Sequence, residues 1–214
     1  MIAFVATLWT SALHAQSVNM DRFITLEVKE GAQIKMKMKA ASNNIAVRIK
    51  SGSEVYNFTV GTSETTLQEY KAGAATMTIY GNITEFDCAE NASNLTAVDT
   101  SKNPMLTVLR CYNNRLTKLD ITRLEQLEWL YCQNNELAEL NLSQNKKLGW
   151  LSCYSNKLTS LNLRENKILT WLYCENNSLE SLDISQNKYV TEIKCQNNKL
   201  PYYEIGRASC RERV

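Results

Sequence analysis

Histidine is almost absent from this sequence: His14 is the one example in 214 residues. It falls inside an apolar N-terminal stretch that reads as an export signal, so the chain that follows has no imidazole. That excludes Ser-His-Asp and Cys-His nucleophilic catalysis and every zinc site that needs a histidine ligand. A glycine-rich phosphate loop is lacking too, as are paired carboxylates in a cleft; Glu85, Asp87 and Glu192 fall at opposite ends of the repeat region described below. No catalytic residue, cofactor or metal ligand is assigned, and the chain is read as non-enzymatic. An excess of one charge is also missing. Lys and Arg total 24 against 22 acids, a net +2, whereas nucleic-acid binders show a basic surplus. No apolar run reaches the roughly 20 residues that cross a bilayer, so no membrane insertion is expected after signal removal. With 44% hydrophobic and 21% charged residues, the composition still supports a packed core.

Residues 2–13 (IAFVATLWTSAL) form an uncharged run followed by His14-Ala15-Gln16-Ser17. Its length suits a signal h-region with cleavage after Ala15, making 1–15 the expected signal peptide. No Lys or Arg precedes it, and Leu13 is large for its place before the cut. A misassigned start at Met1, or a buried strand, therefore stands as the alternative. No cysteine lies near the cleavage point to support a lipoprotein anchor.

Cysteines recur at 111, 132, 153, 174 and 195, always 21 residues apart. Aligned on them, the copies read LTVLRCYNNRLTKLDITRLEQ from Leu106, LEWLYCQNNELAELNLSQNKK from Leu127, LGWLSCYSNKLTSLNLRENKI from Leu148 and LTWLYCENNSLESLDISQNKY from Leu169. VTEIKCQNNKL opens another copy at Val190, and a degenerate one, ITEFDCAEN, starts at Ile83 with two extra residues before Leu95. The frame LxxLxCxxNxLxxLxLxxNxx is the leucine-rich-repeat pattern, a sign of stacked coils. One coil buries too little apolar surface to offset the entropy of ordering it, so stacking supplies its missing walls and a parallel ladder. Mainly β architecture follows: a solenoid with one short parallel strand per coil.

Two columns of the frame read as structural. Asn114, Asn135, Asn156, Asn177 and Asn198 follow the strand, where their amides can satisfy backbone groups of the turn. Cys88, Cys111, Cys132, Cys153, Cys174 and Cys195 take the inward strand position usually held by leucine, where a free cysteine acts as a small hydrophobe. Buried free thiols are the expectation. Disulfides between coils about 4.8 Å apart remain open on distance, while metal binding lacks the CxxC-like spacing it needs.

Alternation places the residues flanking each inward leucine and cysteine outside. The first outward column reads Glu85, Val108, Trp129, Trp150, Trp171, Glu192; the second Asp87, Arg110, Tyr131, Ser152, Tyr173, Lys194; the third Ala89, Tyr112, Gln133, Tyr154, Glu175, Gln196. Every tryptophan after the signal shares one column, with Tyr112, Tyr131, Tyr154 and Tyr173 beside it. Half-exposed, these rings make a patch of roughly 500 Å², at the top of what monomers show. Tryptophan, tyrosine and arginine dominate interface hot spots, so Trp129, Trp150, Trp171, Tyr131, Tyr173, Tyr112, Tyr154 and Arg110 are the candidate partner-binding residues. A self-stacked aromatic ladder, or one covered by a missing segment, is the alternative. The flat indoles also suit a glycan. Single-stranded nucleic acid is disfavoured, because Arg110 and Lys194 face Glu85, Asp87, Glu175 and Glu192.

Ahead of the repeats, 23–29, 33–39, 45–50, 55–60 and 75–80 alternate with period two between turns at Gly31, Ser51-Gly52-Ser53 and Gly61. This predicts a small antiparallel β domain over 16–82 that caps the first coil, with the repeats over 83–203. Lys35, Lys37 and Lys39 are expected as a solvated strand face. After Tyr203 the frame breaks into EIGRASCRERV where a leucine was due. Back-translated, that tail resembles a sequencing adapter, and 204–214 is read as non-native; further coils are expected in the natural protein.

The cysteine-bearing frame resembles internalin J-like surface proteins, and with a β-rich N-terminal segment it looks like internalin-related proteins of Bacteroidetes such as Porphyromonas. The resemblance covers 83–203. It implies a secreted or cell-surface protein, on the outer membrane of a Gram-negative bacterium, that adheres to a protein partner on a host or bacterial surface and contributes to biofilm. A structural spacer, or the targeting part of an effector enzyme whose catalytic domain lies past Tyr203, are the competing readings.

Overall fold

A computed structural model describes residues 17–201; the expected signal and the 204–214 tail lie outside them. Among the described residues every regular element is a strand. Six precede the repeats: β1 (Phe23–Val28), β2 (Gln33–Lys39), β3 (Ile45–Ser51), β4 (Glu54–Val60), β5 (Gln68–Lys71) and β6 (Thr76–Tyr80). Their alternation decides their packing. Ile24, Leu26 and Val28 of β1, Ile34, Met36 and Met38 of β2, Val47 and Ile49 of β3, and Met77 and Ile79 of β6 all point into one buried core. Gly52 turns β3 into β4 with φ +59, and a Cβ there would stand 2.5 Å from the Gly73 carbonyl oxygen, so only glycine fits.

β7 (Glu85–Asp87) begins the solenoid, β8 (Leu95–Asp99) crosses its far side, and β9 (Val108–Arg110), β10 (Trp129–Tyr131), β11 (Trp150–Ser152), β12 (Trp171–Tyr173) and β13 (Glu192–Lys194) follow. Register is parallel and in phase: Val108 pairs with Trp129, Trp129 with Trp150, Trp150 with Trp171, Trp171 with Glu192. Each strand of this parallel ladder is three residues long because the chain must then turn to close a 21-residue coil. Bonds such as Leu148 N–H to Asn145 C=O (3.0 Å) and Leu169 N–H to Asn166 C=O (3.1 Å) tighten the corner before the next strand.

Two sheets result. One has the order β4-β3-β6-β1-β8, the other β13-β12-β11-β10-β9-β7-β2-β5. Both run from the N-terminal segment into the first coil. β2 pairs antiparallel with β7, Met38 opposite Phe86; β1 pairs antiparallel with β8, Leu26 opposite Val98. The apolar core is accordingly continuous from Ile24 to Cys195.

Two strands depart from the expectation. β5 (QEYK) has no apolar alternation; it is an edge strand held by β2, with Tyr70 resting on Tyr56 and Phe58. Leu95, read as an ordinary repeat leucine, opens β8 because β1 offers its free edge there. The lysine face is corrected as well. Lys37 bridges Glu64 and Asp87 at 3.2 Å each, and Lys39 pairs with Glu85, so these two, while partly exposed, also tie the N-terminal sheet to the first coil.

Candidate functional site: an aromatic outward face

The turn after each strand fixes how the outward face is presented. Asn113, Asn134, Ser155, Asn176 and Asn197 sit at φ 51 to 56, a left-handed conformation that asparagine tolerates better than most residues. The next residue anchors the turn. Asn135 Nδ2 donates to Cys111 C=O and Cys132 C=O, both at 3.0 Å, and its Oδ1 accepts from Leu116 N–H at 3.0 Å. Asn114, Asn156, Asn177 and Asn198 each donate in the same way to the carbonyls of two successive cysteines. One amide thus joins its own coil to the preceding one. A second buried column, Asn145, Asn166 and Asn187, does the same at the opposite corner, where Nδ2 of Asn166 donates to Leu142 C=O (3.1 Å) and Asn145 C=O (2.9 Å). The repeat frame contains both this column and the left-handed one, and the recurrent Asn-Asn pair and the closing Asn are the signals in the sequence that point to their roles.

Beneath the strands Cys88, Cys111, Cys132, Cys153 and Cys174 are free and buried. Burial pushes the Cys132 and Cys174 thiols up to about 12, and those of Cys88, Cys111 and Cys153 well above the usual value. Reactive thiolate is therefore scarce at neutral pH. Cys195 differs, being disulfide-bonded. Among the described residues no group of three or more His, Cys, Asp and Glu is placed to hold a metal ion.

On the outward side the structure brings four of the candidate rings together. Trp150 is the hub: its ring centroid lies 4.9 Å from Trp171, 5.8 Å from Tyr131 and 5.5 Å from Tyr173, the last edge-on. Trp129, next in register, is 44% exposed; Trp150, Trp171, Tyr131 and Tyr173 are half-buried. Tyr112 and Tyr154 stand one column away, half-buried, and join no ring pair among the described residues. Burial raises the Tyr112 and Tyr131 pKa values. Tyr173 donates its hydroxyl to Glu192 at 2.7 Å, and that bond, with burial, pushes it up to about 12.

Not all outward positions are open. Val108, between Glu85 and Trp129 in the column, is only 5% exposed, and Ser152, flanked by Tyr131 and Tyr173, is buried. Small side chains vanish beside rings. Arg110 is committed as well: it pairs with Glu64 at 2.7 Å and Glu85 at 3.8 Å and lies 5.6 Å from the Tyr131 ring centroid. Together with Lys37, Lys39 and Asp87 it forms an ion-pair cluster that ends the aromatic stripe on its N-terminal side. On Lys37 burial opposes the charge, but Asp87 and Glu64 outweigh it and its pKa is raised.

In-phase 21-residue coils with inward leucines, a thiol column and asparagine corners define a leucine-rich-repeat solenoid. No protein-family model matches the chain, and no curated protein does. Solved structures do. The functional domain of InlJ from Listeria monocytogenes, which includes a cysteine ladder, is 36% identical with a TM-score of 0.54, over 55% of this chain and 26% of that one. A leucine-rich-repeat protein of Leptospira interrogans shares 28% identity over 47% of this chain and 29% of its own, with a TM-score of 0.45. The internalin InlF of Listeria monocytogenes shares 24% over 52% and 35%, with a TM-score of 0.48. The chain thus spans about a quarter to a third of the structures it matches. None of the three is a Bacteroidetes protein, so that part of the sequence resemblance gains no support.

Proposed function

We propose that this chain is the recognition part of a secreted or cell-surface leucine-rich-repeat protein, and that it binds a protein partner through Trp129, Trp150, Trp171, Tyr131 and Tyr173. In this reading 83–203 carries recognition, 16–82 caps it, and adhesion to a host or bacterial surface, with a part in biofilm, is the outcome. The observation that carries it is the contiguous stripe itself. The inward leucines and the asparagine corners already account for stacking, so the fold does not require rings outside. Rings of this kind bury large areas with little entropy loss, which is why they anchor interfaces. The likeness to the InlJ functional domain, cysteine ladder included, supports the same class of protein.

A structural ladder is the second reading, favoured by the 4.9 Å contact between Trp150 and Trp171. One experiment separates the two. Trp129, Trp150 and Trp171 are replaced by alanine together in the full chain, and surface adhesion is measured beside the thermal midpoint. The proposal expects lost adhesion with a midpoint within a few degrees of the parent. Undiminished adhesion by a folded variant removes it; collapse of the fold supports the ladder.

A further inference from the structure

Glu175 is an outward acid whose bonding is incomplete. It follows Tyr173 by two residues on the same extended stretch and shares its repeat position with Gln133 and Tyr154. Its Oε2 is buried without a hydrogen-bond partner, and Gln133 Oε1 is in the same state. Burial raises the Glu175 pKa, the mark of a carboxylate held short of solvation. The other outward acids are answered. Glu85 has Lys39 and Arg110, Asp87 has Lys37 and the Ala89 N–H, and Glu192 has the Tyr173 hydroxyl and Lys194.

The rings of the same face already accept cations. The Arg110 guanidinium lies 5.6 Å from the Tyr131 centroid and the Lys194 ammonium 4.4 Å from that of Tyr173. Each of these cations is paired with its own acid, Arg110 with Glu64 at 2.7 Å and Lys194 with Glu192 at 3.8 Å; neither forms an ion pair with Glu175, although the Lys194 charge and the Glu175 backbone N–H partly offset its burial. The middle of the stripe therefore combines aromatic faces, one unpaired carboxylate oxygen and a second unpaired acceptor. A guanidinium carries donors only, stacks on aromatic rings and binds carboxylates in a fork. An ammonium offers a more hydrated point charge, and a neutral sugar leaves the carboxylate unneutralised. Trp150 Nε1–H, also buried without a partner, calls for an acceptor, which the backbone carbonyl of an extended peptide supplies.

We propose that the aromatic stripe takes an arginine side chain of its protein partner, with the guanidinium against the rings of the stripe and donating to Glu175. This rests on the stripe being the binding surface, as proposed above. The probe is an immobilised peptide, acetyl-Gly-Ser-Arg-Ser-Gly-amide, beside its citrulline counterpart, which keeps the shape and loses the charge. The full chain binds the arginine peptide at least tenfold more tightly. Glu175→Gln abolishes that preference, while Glu139→Gln, exposed and off this face, leaves it intact. Thermal midpoints of both variants establish that they are folded. Equal binding of the two peptides, no binding of either, an unchanged preference in Glu175→Gln, or a glycan held on the stripe instead would overturn the proposal. Where the triple tryptophan variant loses adhesion and the arginine peptide still fails to bind, the stripe stands and the arginine falls. Where that variant adheres normally, both fall.

Discussion

At Asn156 a single amide holds backbone from neighbouring coils. Its Nδ2 donates to Cys132 C=O and Cys153 C=O, and its Oδ1 accepts from Leu137 N–H. Alanine there strands buried polar groups and leaves a small void, so Asn156→Ala is expected to cost about 2–4 kcal/mol in a urea unfolding experiment. The residue before it tells the reverse story. Asn134 Nδ2 donates to Asn113 Oδ1 at 2.6 Å and Asn197 Nδ2 to Asn176 Oδ1 at 2.8 Å, but Ser155 interrupts the series at φ 51. Ser155→Asn restores a side chain suited to that conformation and is expected to add on the order of 0.5–1 kcal/mol by the same measurement. Glu175 makes a third case. Its folded pKa is raised above the unfolded value, chiefly by burial, so its contribution is fully present below the unfolded pKa and is lost as pH rises through the folded one. Glu175→Gln should therefore unfold at a higher temperature than the parent at neutral pH, with the gain shrinking in acid. An equal gain at every pH would contradict the burial argument.

The columns were legible at this scale because a 21-residue period turns positions along the chain into neighbours across the sheet. Trp129, Trp150 and Trp171 follow from arithmetic alone. The loss of Val108 and Ser152 from the open face did not follow, since burial there depends on the size of the flanking side chains. Nor did the pairing of Arg110 with Glu64, which lies 46 residues away in the N-terminal segment.

At the scale of elements, the junction of β2 and β7 joins an antiparallel sheet to a parallel one. Phe86 sits there, fully buried, opposite Met38 on one side and Leu109 on the other. Phe86→Ala is expected to destabilise by about 3–5 kcal/mol in chemical denaturation. Removing an ion pair at the same junction, as in Lys37→Met, should cost far less, because partly exposed pairs contribute little. The strands with apolar alternation, β1, β2, β3, β4 and β6, could be read from sequence to within a residue or so. β5 and β8 could not, because what makes them strands is a partner's open edge and not their own pattern. Along the solenoid each coil is covered by the next: Leu161 and Leu163 are buried, whereas Leu182 and Ile184, one coil later, are half-buried. Coverage also protects the thiols. Cys88, Cys111, Cys132, Cys153 and Cys174 are expected to resist iodoacetamide at neutral pH until denaturant opens the stack; rapid alkylation of the folded chain, followed by mass spectrometry, would place them on the surface.

For the whole molecule, one continuous core carries two unlike faces: a charged junction at one end and an aromatic stripe running from it. Covalent footprinting of Trp129, Trp150 and Trp171 tests this arrangement most directly, with the full chain oxidised free and then while bound to the surface it adheres to. Trp129 should be the most reactive in the free chain, Trp150 and Trp171 less so, and all should be protected together on binding. Reactivity unchanged by binding, with protection found at the turn residues of the coils instead, would contradict the assignment of the stripe as the recognition surface.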